Sequence, residues 1–274
     1  MKIIISHDID HIIVFEHKKD LIIPKFIIRS FIELGLGYIS FSELGLRFRD
    51  ILKNKWNNIE ELMIFNKENN VPATFFIGVN NGRGLSYSLE DSKFWINKIK
   101  EKGFKIGVHG IAYDNLDSIK TEFKTFKQIS GLDKFGIRMH YLMKNDETVG
   151  LLSKAGYAYD SSIYGINNPI KIGNLWEFPL CIMDGNLVYK NSRYQNQTLK
   201  QIKDTTKIML EEAYSKGINY FTILFHDRYF SDSFKTWKNW YIWLIEYLKK
   251  NNFEFIGFEN AVNELNEVHI NENQ

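Results

Sequence analysis

The feature that most restricts the fold is a repeating order along the chain: a short apolar, β-rich run, then a longer segment with helical spacing. The β-rich runs fall at residues 2–6, 73–79, 104–109, 136–139, 175–181, 220–225 and 253–258. Between them residues recur every three or four positions as apolar stripes, as in Ile59, Leu62 and Met63, in Leu199, Ile202, Thr206, Met209 and Ala213, interrupted only by the threonine, and in Trp240, Leu244 and Leu248. That period marks one buried face of a helix. Gly103, Gly156 and Gly217 each stand just past such a segment, where a helix end favours the left-handed backbone that glycine adopts freely. Strands joined through helices pair in parallel, because the helix carries the chain back to the start of the next strand. Seven such units without a linker predict an α/β fold, a distorted (β/α)7-type barrel of mainly parallel strands, in one domain over residues 1–265. A polar tail over 266–274 is expected to fray.

One stretch breaks the rhythm. Residues 12–56 separate the first two strands and read as a helical insertion over the barrel mouth, with Pro24 suited to the first turn of a helix. Lys25 and Arg29 make part of it basic and amphipathic, which also allows a weak contact with a membrane surface or a lipid-linked substrate. The other partner classes are limited by composition. A net charge of +2 over 274 residues, with both signs intermixed, gives no footprint for nucleic acid. The single cysteine, Cys181, fits a reducing compartment. The apolar N-terminal run is too short for a signal peptide, and no stretch reaches the ~20 apolar residues of a membrane span. The expected location is the cytoplasm.

The chemistry-bearing residues gather at strand ends. Asp8 and Asp10, two apart, share one face of an extended strand, with Ile9 opposite. Parallel α/β folds place their sites at the carboxyl ends of strands, and two close carboxylates repel unless a cation joins them. His109 ends a second apolar run and His226 another. Arg138 and His140 stand at alternate positions at the end of a fourth. Each alone suits a structural role; several strands delivering such groups to one rim point to a site.

Taken in order, these segments resemble the polysaccharide deacetylases, the carbohydrate esterase family built on the NodB homology domain. The likeness runs from Ile3 to about Phe258. His7-Asp8-Ile9-Asp10 is similar to the opening paired-aspartate motif and Ala73-Thr74-Phe75-Phe76-Ile77 to the second strand. His109 matches the metal-binding histidine motif and Arg138 the arginine motif. Tyr159-Asp160-Ser161-Ser162 resembles the aspartate motif and Leu224-Phe225-His226 the last. The resemblance implies that Asp10 and His109 bind a divalent metal, usually zinc, with cobalt, nickel or manganese as alternatives. It implies that Asp8 activates water as general base and His226 protonates the departing amine. Arg138 would keep Asp8 charged, and Asp160 would orient His226. The implied reaction removes an acyl group, typically acetyl, from an amino sugar; with no export signal expected, the substrate is expected to be a sugar nucleotide or surface-glycan precursor in the cytoplasm. Tyr141, Tyr164 and Trp176 are candidates to stack on sugar rings.

The sequence departs from the family at one point. The family's second histidine, four residues after the first, is here Tyr113. A phenol with a pKa near ~10 is a poor zinc ligand. His140 is the preferred replacement, with His11 and Asp114 as the other candidates. The departure leaves two further readings: a catalytically degenerate protein that binds a glycan or partner, and an amidohydrolase for a non-sugar amide.

Overall fold

The computed structural model describes residues 1–272. Its ten strands are β1 (Lys2–Ile9), β2 (Thr74–Ile77), β3 (Lys105–Gly110), β4 (Ile137–Met139), β5 (Tyr159–Asp160), β6 (Ile170–Ile172), β7 (Leu175–Glu177), β8 (Leu180–Met183), β9 (Tyr220–Leu224) and β10 (Glu254–Phe255). The sheet order is β6-β7-β5-β4-β3-β2-β1-β9-β8, and β10 pairs with the start of β1. All pairings are parallel except β6 with β7. The ring closes where the chain beyond β5 meets β8: Leu180 N–H donates to Ile163 O at 2.7 Å and Gly165 N–H to Leu180 O at 3.0 Å. Seven strands, β1 to β5 with β8 and β9, thus form the distorted barrel.

Helices cover its outside: α1 (Ile22–Gly35), α2 (Phe41–Leu52), α3 (Ile59–Glu68), α4 (Leu89–Glu101), α5 (Leu116–Ser130), α6 (Thr148–Ala155), α7 (Asp184–Tyr189), α8 (Leu199–Ser215), α9 (Lys235–Lys250) and α10 (Phe258–Glu272). No described helix is long and apolar enough to cross a membrane. Gly103, Gly156 and Gly217 have φ of +86°, +107° and +66°, the backbone expected of them.

The two-residue period of β1 sorts its side chains. Ile3, Ile5, His7 and Ile9 face the helical layer, where Ile3, Ile5 and Ile9 join the large outer core. Ile4 points the other way, into a second apolar cluster with Phe76, Tyr159, Phe178, Tyr220 and Phe258. On Ile4's side, moving toward the carboxyl end, come Ser6, Asp8 and then Asp10. The barrel interior therefore changes from apolar to charged along a single strand.

Three local expectations are corrected. Residues 175–181 are two strands, not one: the run breaks at Pro179, which has no N–H to donate to a ladder. Residues 253–258 are strand only over Glu254–Phe255; Phe258 instead opens α10 and stacks on Tyr159 with ring centroids 4.7 Å apart. The tail over 266–274 is helical as far as Glu272, with Asn273 and Gln274 outside the described residues. The insertion over 12–56 holds a 3-10 turn (Val14–His17), α1 and α2. It is tied down through buried Glu33, which accepts from Arg47 at 2.7 Å and from Gln195 N–H at 2.9 Å.

Candidate metal and active site

Asp8 and Asp10 both line a cavity of about 1100 Å³ at the carboxyl ends of the strands, as do His109, His140 and His226. Asp10 Oδ1, His109 Nε2 and His140 Nδ1 form a nearly equilateral triangle, with sides of 3.1, 3.0 and 3.2 Å. An ion bound at about 2.1 Å places its donors ~3.0 Å apart at right angles and ~3.4 Å apart in a tetrahedron, so the spacing suits a divalent cation.

The other ring nitrogens support that fit. His109 Nδ1–H donates to Arg138 O at 3.1 Å, and His140 Nε2–H to Arg83 O at 3.2 Å. Each backbone carbonyl fixes a ring orientation and leaves the opposite nitrogen facing the triangle, as outer partners of metal-bound histidines do. Without a cation a proton must occupy this space. Burial disfavours the charged form of His140, but the hydrogen bond and charge of Asp10 outweigh it and raise its pKa. Burial likewise pushes the Asp10 carboxyl up, yet His109, His140 and His226 together hold it well below its usual range. The backbone around His140 is strained: Arg83, Tyr141 and Leu142 have φ of +52°, +55° and +50°. Non-glycine residues hold such angles at a cost of order 1–3 kcal/mol each, and they cluster at functional sites.

Of the other candidates for the third corner, Tyr113 does not line the cavity; its ring lies under the Arg83 guanidinium at 5.7 Å. Asp114 is not in the cluster. His11 lines the cavity but belongs to a neighbouring group with Glu16 and His17.

Asp8 is buried beside the triangle. Arg138, fully buried, donates through Nη1 to Asp8 Oδ1 at 3.1 Å and Ser6 Oγ at 2.7 Å. Its Nε and Nη2 bind the backbone carbonyl and hydroxyl of Ser161, at 2.9 and 3.0 Å. Asp8 Oδ2 lies 3.8 Å from His109 Nδ1.

The carboxylate behind His226 is Asp184, not Asp160. Asp184 Oδ1 accepts from His226 Nδ1–H at 2.8 Å, and Oδ2 accepts from the His226 backbone N–H at 2.8 Å. Burial opposes the imidazolium, but Asp184 and then Asp10 and Asp8 overcome it and raise the His226 pKa well above its usual value. Its Nε2 faces Asp10 Oδ2 at 3.6 Å. Asp160 lies deeper in the barrel wall, opposite Glu177 in the β5–β7 register, and accepts from Ser162 Oγ at 2.5 Å. Ser162 Oγ in turn accepts from the Met139 N–H. Asp160 therefore supports the strand ends that carry Arg138 and His140. The rule that located the other residues, an acid or histidine at the end of an apolar strand, also applies to Asp184. Ending that run at residue 181 hid it.

Tyr141 and Tyr164 line the cavity, whereas Trp176 does not; it is buried among Tyr159, Phe178 and Phe258. Another residue absent from the sequence reading is Glu122, buried in α5. It accepts from Ile111 N–H at 3.0 Å and Ala112 N–H at 3.4 Å, and so holds the chain leaving His109. Burial pushes its carboxyl up to about 7.

No protein-family model matches the sequence, and no curated protein does. Solved structures do resemble it. A Mycobacterium smegmatis protein described as a polysaccharide deacetylase superposes with a TM-score of 0.65 at 14% identity, over 98% of this chain and 91% of its own. One from Pseudomonas aeruginosa PAO1, described in the same way, gives 0.58 at 17% identity over 76% and 72%. The allantoinase PuuE gives 0.65 at 12% identity over 98% and 90%. With a mostly parallel barrel closed as above, the chain shares the fold of these proteins, two of them described as polysaccharide deacetylases.

Proposed function

We propose that this chain is a divalent-metal-dependent hydrolase that removes an N-acyl group, most simply acetyl, from an amino sugar in a sugar nucleotide or surface-glycan precursor in the cytoplasm. The observation that carries the reading is the triangle of Asp10, His109 and His140, with both imidazoles oriented by backbone carbonyls. A divalent cation there, zinc or one of its neighbours cobalt, nickel and manganese, supplies Lewis acidity toward an acyl carbonyl and toward water. The chain's own residues divide the proton work. Asp8 takes the proton from the attacking water as general base, its second oxygen held by Arg138. His226 is held as imidazolium by Asp184 and gives its Nε2 proton to the departing amine, so that water and amide become acid and amine. Arg138 and Asp160 are positioning residues.

The experiment is metal analysis of the purified chain, followed by measurement of acetate release from N-acetylated amino sugars, with and without added zinc or cobalt. Bound metal and metal-dependent acetate release are expected. A chain that neither holds metal nor gains activity from it is the degenerate binder instead. The likeness to a protein named as an allantoinase, as close as that to any deacetylase above, is the reason to assay non-sugar amides in parallel. Turnover of those alone would replace the sugar in this reading.

A further inference from the structure

The cavity, at about 1100 Å³, slightly exceeds the ~300–1,000 Å³ usual for small-molecule sites, which leaves room beyond one acylated sugar. Its charge is uneven. The acids among its lining residues are Asp8, Asp10 and Asp184, and each already faces Arg138 or the site histidines. The portion built by α1, by residues 190–193 and by the chain after His226 contributes five cations, Lys25, Arg29, Lys190, Arg193 and Arg228, and no carboxylate.

Arg228 is the most telling of the five. It is only 8% exposed, and its Nε and Nη2 have no hydrogen-bond partner. The guanidinium packs between Trp56 and Phe26, 4.1 and 4.6 Å from their ring centroids. The adjacent Asp227 does not neutralise it: burial pushes that carboxyl up to about 8, and its Oδ2 is taken by the Asn58 N–H. A buried cation without a counter-ion is costly, and a ligand that brings an anion relieves the cost. Arg29 is pre-positioned, donating to Tyr189 Oη at 2.9 Å, and it shares Glu33, 3.8 Å from its Nε, with Arg47, so that one carboxylate serves two guanidinium groups. Lys190 and Asn191 hold φ of +37° and +65°, so the segment bearing Lys190 and Arg193 is bent over the cavity against backbone preference. Three guanidinium groups and two ammonium groups exceed what one carboxylate neutralises, and they match the several oxygens and multiple charge of phosphate.

We propose that the substrate carries a phosphate or diphosphate beside its acylated sugar, and that Arg228, Arg29, Lys25, Lys190 and Arg193 form the phosphoryl subsite. The sugar part rests on the function proposed above; the subsite does not.

The test is calorimetric binding of pyrophosphate, of uridine diphosphate N-acetylglucosamine and of free N-acetylglucosamine to the zinc-loaded chain. The parent should prefer the diphosphate sugar over the free sugar by at least about tenfold, and the preference should shrink by about tenfold in a Lys190→Glu/Arg193→Glu double variant. Both positions are exposed, which spares the fold. Pyrophosphate should still bind an Asp10→Asn variant. Binding lost in that variant but indifferent to the charge reversals would put the phosphate on the metal centre and overturn the subsite. Equal acetate release from neutral and phosphorylated sugars would also overturn it, leaving the deacylase reading intact. Diphosphate binding that weakens in the double variant, with no acyl release from any sugar, would defeat the deacylase reading and leave the subsite. Competition by phosphatidylcholine vesicles carrying phosphatidic acid would assign the phosphate to a lipid headgroup, which exposed Ile28 and Phe31 on α1 could meet. Competition by soluble nucleotides alone would assign it to a free sugar nucleotide.

Discussion

Replacing His140 with alanine removes one corner of the proposed metal site and little else. The substitution leaves the Asp10 Oδ1 to His109 Nε2 edge of 3.1 Å intact and takes away the donor that closes it at 3.0 and 3.2 Å. Loss of a partner that merely orients a metal ligand weakens binding by ~10–100-fold, so loss of a direct ligand should cost at least that, or roughly 1.4–2.7 kcal/mol. The side effects are smaller. Arg83 O loses the His140 donor, a term of about 1 kcal/mol in folding. The assay is competition for zinc against a chromogenic chelator, run on the parent, on His140→Ala and on Tyr113→Phe, with circular dichroism as a check on folding. His140→Ala should lose the affinity and Tyr113→Phe should keep it. An affinity for His140→Ala within about twofold of the parent would remove His140 from the ligand set. So would an equal loss in the tyrosine variant, which would return the third corner to residue 113.

Two further perturbations follow from groups the sequence did not single out. Asp184→Asn should lower turnover by ~10²-fold or more by mispositioning the general acid. His226 serves as an acid only below its pKa, which Asp184 raises, so the alkaline limb of the pH–rate profile should move to lower pH; an unchanged profile would mean that Asp184 does not act through His226. Glu122 links stability to pH through a carboxyl raised from 4.5 to about 7 in the folded chain. As pH rises between those values the unfolded chain loses this proton first, so the folded state should lose roughly 3 kcal/mol of stability, fully expressed above pH 7. Glu122→Gln keeps an acceptor for the Ile111 and Ala112 N–H groups without the charge. Its urea-unfolding free energy should therefore fall less than the parent's between pH 5 and 8, and parallel curves would refute the link.

The period-two and period-3.6 patterns were enough to place most strands and helices, because they follow from which faces must leave water. They also placed Asp8 and Asp10 on one face and brought His109, Arg138 and His226 to one rim. What they could not give is pairing across the barrel. Asp160 and Asp184 are both acids at the ends of short strands, and nothing in the linear order says which one meets His226. Ring closure decides it: β8 lies beside β9, bringing Asp184 to His226, while β5 lies beside β4 and keeps Asp160 with Ser162 and the Met139 backbone. The third corner of the triangle is similar. His140 occupies it beside three left-handed residues, Arg83, Tyr141 and Leu142, none of them a glycine. The isolated cation Arg228 is likewise invisible in sequence, where it reads as one more basic residue beside an aspartate. Local patterns determine which residues reach the rim, since they depend on neighbours a few positions apart. Which of them touch is set by contacts between segments up to a hundred or more residues apart, and only the folded barrel supplies those.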